Sequence, residues 1–306
     1  MKHMKKIVVI GSLNMDFAIQ VENAPSEGET VLAKEMALIP GGKGANQAYA
    51  AAKLGGNIVM LGAVGNDTYG KRLTDNLASA GVDVSHLKTV QEASTGIALV
   101  VVDQNGDNRI VVISGANNHV DIPYVESNLD VIRESDIVVM QLEIPLETVV
   151  YAARKAKEFG KMVILDPAPA REDIPDELYP NVDIIKPNEH ELMTLLQRDV
   201  SRLDAVRELL GKGTGGVLVT MGSNGSQYYD ADGKEINKSA LIVNSVDTTG
   251  AGDSYTAALA VALSENADME QAMELASTVG AITTTKIGAQ TSFPSLEEVK
   301  AWNRRS

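Results

Sequence analysis

Short apolar runs alternate with segments of helical periodicity along most of this 306-residue chain. Six of the runs are continuously apolar or β-branched, as are strands that lie buried on both faces of a parallel sheet. They are IVVIG (7–11), NIVMLGAVG (57–65), DIVVMQ (136–141), KMVILDP (161–167), DIIKPN (183–188) and GVLVTMG (216–222). Four intervening segments have helical spacing and end at Gly, the residue expected just beyond a helix: 44–55, 68–81, 146–160 and 204–213. The alternation predicts an α/β fold with a doubly wound, mostly parallel sheet flanked by helices, which binds ligands at the carboxyl ends of its strands.

Two segments, 14–42 and 94–115, interrupt this alternation because neither has a helical pattern. The second contains two apolar runs around Gln104-Asn105-Gly106-Asp107, a turn sequence typical of a β-hairpin. We expect both segments to form a small antiparallel β-lid, with 1–13, 43–93 and 116–306 as the α/β nucleotide- and substrate-binding domain. A pair of long surface loops is the alternative.

The lid segments carry alternating apolar residues, namely Phe17, Ile19 and Val21, then Ile97, Leu99 and Val101. A thin sheet over a polar site leaves one such face uncovered, which predicts that two lids pair in a twofold homodimer.

Composition narrows the function classes. The formal net charge is −14, which argues against a nucleic-acid partner because phosphate backbones need a basic surface. No apolar stretch reaches the roughly 20 residues of a membrane span. The apolar run near the start has only about five residues, short of a signal peptide. With no cysteine present, thiolate sites and disulfides are excluded. We expect a cytoplasmic protein that binds small molecules.

The stretch VDTTGAGDSY (246–255) carries the clearest chemistry. The apolar run SALIVNSV before it predicts a strand, and the pattern SYTAALAVAL after it predicts a helix. Gly250, Ala251 and Gly252 lie between them, so the bare N–H groups of a helix N-terminus are open to an anion. Asp253 stands in the first turn, where a carboxylate beside an anion hole suits proton removal during group transfer. The alternative is that Asp253 only caps the helix.

Further polar residues are predicted at the same sheet edge. In GGKGANQA (41–48), Gly42 permits close approach of the backbone, Lys43 supplies a positive charge, and Asn46 offers an amide in the first helical turn. Asn14 and Asp16 alternate onto one face of an extended segment and suit vicinal hydroxyls. Glu143 follows a predicted strand.

Two more segments end strands in the second half of the chain. Asn188 and Glu191 are three residues apart and offer oxygen ligands for Mg²⁺, while a helix capping box explains the same spacing. Residues 220–225 (TMGSNG) suit nucleotide phosphates or ribose, or form a simple β-turn. A literal G-x-G-x-x-G at Gly211, Gly213 and Gly216 is not a dinucleotide site, because it follows a helix and precedes a strand.

Taken together, GGKGANQA and DTTGAGDSY resemble the two signature regions of the PfkB-type carbohydrate kinases, and the resemblance runs from IVVIGSLNMD to KIGAQTSFP. It implies ATP-dependent phosphorylation of a sugar. The combination with GSLNMD, STGIAL, MQLEIPLE, DPAPAR, KPNEHE and GAQTS is most similar to members that act on the 5-hydroxyl of D-ribose. Deoxyribose, fructose or a nucleoside remain alternative substrates, and a non-catalytic sugar sensor is a further alternative.

The resemblance also implies roles for individual residues. Sugar-binding positions correspond to Asn14, Asp16, Gly42, Lys43, Asn46, Glu143 and Asp253. Asp253 corresponds to the catalytic base, with the anion hole at Gly250, Ala251 and Gly252. The nucleotide site corresponds to Asn188, Thr220, Gly222, Ser223, Gly225 and Gly252, and Asn188 and Glu191 act on Mg²⁺ indirectly. An activating K⁺ is implied at loops containing Asp247, Thr249, Thr283, Lys286, Gly288 and Ser292.

Overall fold

The computed structural model describes residues 5–104, 108–198 and 200–304. Its strands are β1 (Lys6–Ile10), β2 (Asn14–Gln20), β3 (Glu35–Gly41), β4 (Asn57–Leu61), β5 (Ala63–Gly65), β6 (Lys88–Val90), β7 (Gly96–Val102), β8 (Asn108–Ile113), β9 (Ile137–Met140), β10 (Met162–Leu165), β11 (Ile184–Ile185), β12 (Gly216–Thr220), β13 (Ser226–Asp230) and β14 (Glu235–Lys238). Its helices are α1 (Lys43–Lys53), α2 (Thr68–Ser79), α3 (Ile122–Ser127), α4 (Leu129–Arg133), α5 (Leu146–Glu158), α6 (Glu189–Leu196), α7 (Arg202–Gly211), α8 (Ala251–Ser264), α9 (Met269–Thr284) and α10 (Leu296–Asn303). In these ranges no helix has the length and apolar character needed to cross a membrane.

The central sheet has the order β14-β13-β12-β11-β10-β9-β1-β4 over the described chain. The six strands from β12 to β4 are parallel, and β13 and β14 extend the sheet as an antiparallel edge. Successive residues of β1 enter opposite cores: Ile7 and Val9 join one cluster with α1, α8 and α9, whereas Val8 and Ile10 join another with α5, α6 and α7. The predicted doubly wound sheet with helices on both faces is confirmed.

The four predicted helices are confirmed as α1, α2, α5 and α7, each of which ends before the glycine that closes its segment. Gly55, Gly81, Gly160 and Gly213 all adopt positive φ, the left-handed conformation that ends a helix without steric penalty. The literal G-x-G-x-x-G therefore has the predicted structural role, since it spans the end of α7 and the start of β12.

One predicted strand is divided in the structure. The run NIVMLGAVG forms β4 in the central sheet and β5, which pairs with β6 in a separate two-stranded sheet. The break falls at Gly62, whose N–H donates to the hydroxyl of Tyr124 at 3.0 Å rather than to a neighbouring strand. A Cβ at Gly62 would overlap the side chain of Leu13, so the chain turns here at a point of close packing.

The strand predicted for SALIVNSV is wrong. Residues 239–246 contain no strand, and Leu241, Ile242 and Val246 are exposed. The chain has left the sheet edge at β14 and meets no partner strand beyond it. The backbone N–H groups of Val246 and Asp247 donate instead to the carbonyl of Thr284, at 2.7 and 3.2 Å. The turn into α8 is thus anchored to the end of α9 and not to the sheet.

The two segments predicted to form the lid contribute all four strands of a second sheet in the described chain, in the order β3-β2-β7-β8. The two outer pairs of strands are antiparallel. The inner pair, β2 with β7, is parallel and joins the two lid segments. The predicted β7–β8 hairpin is confirmed, while Asn105, Gly106 and Asp107 of its turn lie outside the described residues. The division of the chain into a core and a lid stays a prediction.

Candidate active site

Polar side chains gather at the carboxyl edge of the central sheet, as predicted. Ser12 follows β1, Gln141 and Glu143 follow β9, Asp166 follows β10, and Lys186 follows β11. Helices α1 and α8 begin at the same edge. Parallel strands that end together bring residues from distant parts of the sequence into one site.

Asp253 lies in the first turn of α8, which begins after Gly250 in the left-handed conformation. A Cβ at Gly250 would lie 2.8 Å from the ring of Phe293, so both backbone conformation and packing require glycine there. The Asp253 carboxylate is buried and accepts hydrogen bonds from Asn46 Nδ2 at 2.9 Å and Gln47 Nε2 at 3.0 Å. Burial raises the pKa of Asp253 to about 6, with the positive charge of Lys43 opposing the rise. The carboxylate is therefore ionised at neutral pH and more basic than an exposed aspartate.

The helix N-terminus beside Asp253 has open donors. The N–H of Ala251 donates to the carbonyl of Thr248 at 3.2 Å. In the described part of the chain, the N–H groups of Gly252 and Asp253 have no protein acceptor. A Cβ at Gly252 would meet only the ammonium of Lys186, at 3.8 Å. Two backbone donors and a nearby cation are the features of an anion site at a helix start.

Asn14 and Asp16 lie on one face of β2, as the alternation predicted. Asn14 is buried, and its carbonyl oxygen accepts a hydrogen bond from Asn117 Nδ2 at 2.8 Å. Asp16 Oδ1 is buried without any protein hydrogen-bond partner. Burial, and then the negative charges of Glu143 and Asp253, raise the pKa of Asp16 to about 7. This buried oxygen is therefore free to accept a hydrogen bond from a bound hydroxyl.

Glycines make room for this pair of side chains. Gly42 has φ 86°, and a Cβ there would lie 2.6 Å from the backbone nitrogen of Asn14. A Cβ at Gly41 would overlap the carboxylate of Asp16. The Gly-Gly pair before α1 thus lets two backbone segments of the protein meet, and the close approach to a ligand predicted for Gly42 stays a prediction.

Lys43 interacts electrostatically with both Asp16 and Asp253, and Glu143 interacts electrostatically with Asp16. The Glu143 carboxylate accepts hydrogen bonds from Ser12 Oγ at 2.5 Å and from the backbone N–H of Lys43 at 3.1 Å. Burial alone would lower the pKa of Lys43, but the surrounding carboxylates raise it above the usual range; in order of effect they are Asp253, Asp166, Glu143 and Glu191. The Lys43 ammonium therefore stays charged amid four carboxylates and balances part of their negative charge.

The side chain of Asn46, which was predicted to contact the sugar, forms hydrogen bonds with other protein side chains in this structure. Its amide nitrogen donates to Asp253, and its carbonyl oxygen accepts a hydrogen bond from Gln290 Nε2 at 3.0 Å. Asn46 thus orients the Asp253 carboxylate, and its contact with a sugar stays a prediction.

Asn188 and Glu191 form a complete capping box at the start of α6. The backbone N–H of each residue donates to the side chain of the other at 2.8 Å. The capping alternative is therefore confirmed, and a role towards Mg²⁺ stays a prediction beside it. Burial, and then the negative charge of Asp166, raise the pKa of Glu191. Its carboxylate faces the charged centre of the site.

The segment predicted for the nucleotide lies next to this capping box. Thr220, at the end of β12, forms a β-bridge with Asn188, and its N–H donates to Pro187 O at 3.0 Å. The segment then closes into a turn, with the N–H of Met221 donating to Gly225 O at 2.8 Å. Gly222 and Gly225 both have positive φ, a conformation that glycine adopts readily in turns. The turn is confirmed, whereas binding of a nucleotide by Thr220, Gly222, Ser223 and Gly225 stays a prediction.

The loops predicted for K⁺ meet at Asp247. Its carboxylate accepts hydrogen bonds from the N–H and hydroxyl of Thr249 at 2.9 and 2.7 Å, and from the N–H of Gly288 at 2.8 Å. These hydrogen bonds outweigh partial burial and lower the pKa of Asp247. The other predicted residues bond within the protein: Thr283 Oγ1 to Ser254 Oγ, Ser292 Oγ to Ala289 O, and Lys286 Nζ to Glu298. A cation held here would rely on Asp247 and loop carbonyls.

Several residues of the site were not predicted from the sequence. Lys186 and Asp166 form an ion pair at 3.3 Å that is almost completely buried. Gln47 bonds both Asp166 and Asp253, and Gln141 bonds Gln47. The rule that selected Glu143 also applies to Gln141, Asp166 and Lys186, because each follows a buried parallel strand.

The comparison with known families agrees with this geometry. The pfkB family of carbohydrate kinases matches residues 4–296. The chain belongs to this family. It is 40% identical over 301 residues to a ribokinase of Lactococcus lactis, with 97% of each chain covered. A deoxyribokinase of Salmonella typhimurium is 36% identical over 296 residues, which cover 95% of this chain and 96% of that protein.

Among solved structures, the chain is similar to a ribokinase of Arabidopsis thaliana complexed with ribose and ATP. The TM-score is 0.90 at 34% sequence identity, and the match covers 97% of this chain and 98% of that one. The predicted resemblance to the carbohydrate kinases is therefore confirmed for both sequence and fold.

Proposed function

We propose that the protein transfers the γ-phosphoryl group of ATP to the 5-hydroxyl of D-ribose, giving D-ribose 5-phosphate and ADP. The observation that carries this proposal is the position of Asp253, a buried, ionised carboxylate at an open helix N-terminus, near enough to Asp16 for its charge to raise the pKa of that residue. Relatives named ribokinase, at 35–40% identity over nearly the whole chain, support the choice of activity.

The residues fit the steps of this transfer. Asp253 accepts the proton of the 5-hydroxyl while the sugar oxygen bonds to the γ-phosphorus. The bond from that phosphorus to the β,γ-bridging oxygen breaks, and ADP leaves. The N–H groups at the start of α8 and the ammonium of Lys43 stabilise negative charge on the transferring group. Asn14, Asp16 and Glu143 hold the ring hydroxyls and so fix the 5-hydroxyl near the base.

The choice of sugar rests on Asn14 and Asp16. Two neighbouring polar groups suit a vicinal diol, which favours ribose over 2-deoxyribose. The similarity to a deoxyribokinase keeps the second sugar in the test. An ADP-release assay with ribose, 2-deoxyribose, fructose and adenosine, followed by ³¹P NMR of the product, tests the proposal. Ribose should give the highest kcat/KM and a phosphate ester at C5. A higher value for another acceptor would overturn the substrate, and no release with any of them would overturn the activity.

Two cations belong to the proposal. Asn188 and Glu191 would hold a Mg²⁺ ion through its waters, and such an ion would supply positive charge to the phosphates of ATP. Asp247, with its lowered pKa, fits a K⁺ between the loop before α8 and the loop after α9. A cation there would stabilise the loop that carries the open N–H groups of α8.

A homodimer formed through the small sheet is the last part of the proposal. Strand β8 is at the sheet edge, and its Ile110, Val111, Val112 and Ile113 are each about half exposed. Such a continuous apolar edge is typical of a surface covered by a partner. Sedimentation should give a dimer that Val111→Lys dissociates, whereas an active monomer would overturn this part. Use of ATP supports the proposed cytoplasmic location.

A further inference from the structure

The side-chain amide of Gln47 lies between two carboxylates. Its Nε2 is 3.0 Å from Asp253 Oδ1 and 2.8 Å from Asp166 Oδ2. Gln47 is completely buried in the first turns of α1, so water does not substitute for it. One side-chain amide thus donates to two carboxylates, Asp166 after β10 and Asp253 in α8.

The orientation of this amide is fixed by its neighbours. Carboxylate oxygens accept hydrogen bonds, so the nitrogen end of the Gln47 amide is the end that faces both side chains. The oxygen end accepts a hydrogen bond from Gln141 Nε2 at 2.6 Å. Gln141 is fully buried at the end of β9, and a Cβ at Gly11 would overlap its Oε1. The glycine after β1 therefore makes space for the side chain that holds Gln47.

We propose that Gln47 is a positioning residue that holds the Asp253 carboxylate ionised and aimed at the sugar hydroxyl by tying it to the buried Asp166–Lys186 pair. This inference rests on the proposed kinase function. Asp253 then has each oxygen held by one amide, Oδ2 by Asn46 and Oδ1 by Gln47. A carboxylate held at both oxygens cannot rotate away from the position in which it meets the acceptor hydroxyl.

The network stabilises the base but does not relay its proton. Both hydrogens of the Gln47 amide are already donated, so a proton on Asp253 has no acceptor in that direction. It leaves through the substrate side after transfer. The charged groups that face Asp253 are Lys43, Asp166 and Asp16, and Lys186 pairs with Asp166. The Gln47 side-chain amide lies between the carboxylates of Asp253 and Asp166, and its positive N–H end faces both.

The test uses Gln47→Met, which removes both donors and keeps the length of the side chain. Because donors to an ionised carboxylate lower its pKa, their loss should move the acid limb of the kcat–pH profile upward by about one unit. At pH 7 this shift alone lowers the ionised fraction of Asp253 less than about twofold, so a fall in kcat of at least tenfold reports the loss of positioning, and the ribose KM should change less than threefold. Gln141→Met, which frees the Gln47 amide, should shift the same limb by a smaller amount. Gln91→Met is the control, since Gln91 is exposed and its Oε1 accepts a hydrogen bond from Asn66 instead of its amide donating to a carboxylate of the site.

A folded Gln47→Met protein with wild-type kcat and an unmoved acid limb overturns the inference, as does a loss confined to thermal stability. Where Gln47→Met fails to fold, an unmoved limb in Gln141→Met overturns it. A direct readout separates this inference from the proposed function. An NMR titration of ¹³Cγ-labelled aspartates, assigned with Asp253→Asn, should show the Asp253 pKa raised in Gln47→Met even if no acceptor is phosphorylated. An unchanged Asp253 pKa overturns the inference.

Discussion

Gly41 and Asp16 lie so close that a single methyl group on Gly41 would overlap the Asp16 carboxylate. The two residues lie on paired antiparallel strands, β3 and β2, in which Gly41 pairs with Asn14 and Asp16 pairs with Ile39. Because Asp16 Oδ1 is buried and has no protein partner, its position is set by packing against this bare backbone rather than by hydrogen bonds to that oxygen.

Gly41→Ala should therefore displace Asp16 and weaken ribose binding. We expect KM for ribose to rise at least tenfold, with a smaller change in KM for ATP, because the nucleotide segment is on other strands. Steady-state kinetics with each substrate varied in turn measure both values. Gly211→Ala is the matched control, since a Cβ there meets nothing within 4 Å and φ is not positive. Equal effects on both KM values would show general damage instead.

Asp253→Asn should remove the base while preserving the shape of the site. Turnover should fall at least ~10²-fold, the lower range for loss of a general base. Ribose binding, measured by calorimetry, should stay within a few-fold of wild type because the ring hydroxyls are held elsewhere. The exposed Asp130→Asn variant should match wild type in both measurements. Near-normal turnover in Asp253→Asn would contradict its assignment as the base.

Ribose binding should weaken in acid because of Asp16. With a pKa near 7 in the free protein, Asp16 is ionised above that pH and accepts the diol hydroxyls, whereas protonation below it removes acceptor capacity. The dissociation constant should rise severalfold between pH 8 and pH 6, and Asp16→Asn should bind weakly with little pH dependence. The folded pKa is above the unfolded value of about 3.9, so Asp16 lowers the free energy of unfolding as pH rises from 4 to 7. Calorimetric titrations with ribose between pH 6 and pH 8 measure how the dissociation constant depends on pH.

Glu191→Gln separates a metal role from helix capping. Glutamine at this position still accepts the Asn188 N–H, so the capping box and thermal stability should persist. The loss of charge should raise the Mg²⁺ concentration needed for half-maximal rate more than it raises the ribose KM. Gln271→Glu, in the capping box of α9, controls for changes at a cap. If melting temperature falls while the Mg²⁺ requirement stays constant, capping alone explains the residue.

Potassium should increase turnover through the loop before α8. Rates in K⁺ should exceed those in a buffer whose only monovalent cation is a bulky organic ion, because only a small cation would fit beside Asp247 and stabilise the loop before α8. Asp247→Asn should abolish the difference. Equal rates in both buffers with wild-type protein would refute the assignment.

The alternating strands and helices of the central sheet could be predicted from the sequence. Each central strand is apolar on both faces, and helix-ending glycines close the intervening segments, so local patterns predicted both. The strand predicted for SALIVNSV was wrong because an apolar run does not show whether a neighbouring strand is available to pair with it. The parallel inner pair of the second sheet was missed for a related reason, since strand order there depends on contacts between distant segments.

At the site, motif residues were identified but their supporting network was not. Gln47 lies 206 positions from Asp253 in sequence and 119 from Asp166. Nothing local distinguishes a glutamine that bridges carboxylates from one that faces solvent. The capping box of Asn188 and Glu191 was weighed correctly as an alternative, because its spacing has a local geometric cause.

The glycines that close α5 and α7 have a practical consequence for engineering. Each precedes the start of a central strand, so Gly160 and Gly213 lie at the end of the sheet opposite Asp166 and Lys186. A four-residue strand such as β10 separates the two ends by about 13 Å. A fluorescent domain inserted at Gly160, which has open space around it, would therefore report on the enzyme without obstructing sugar or nucleotide entry.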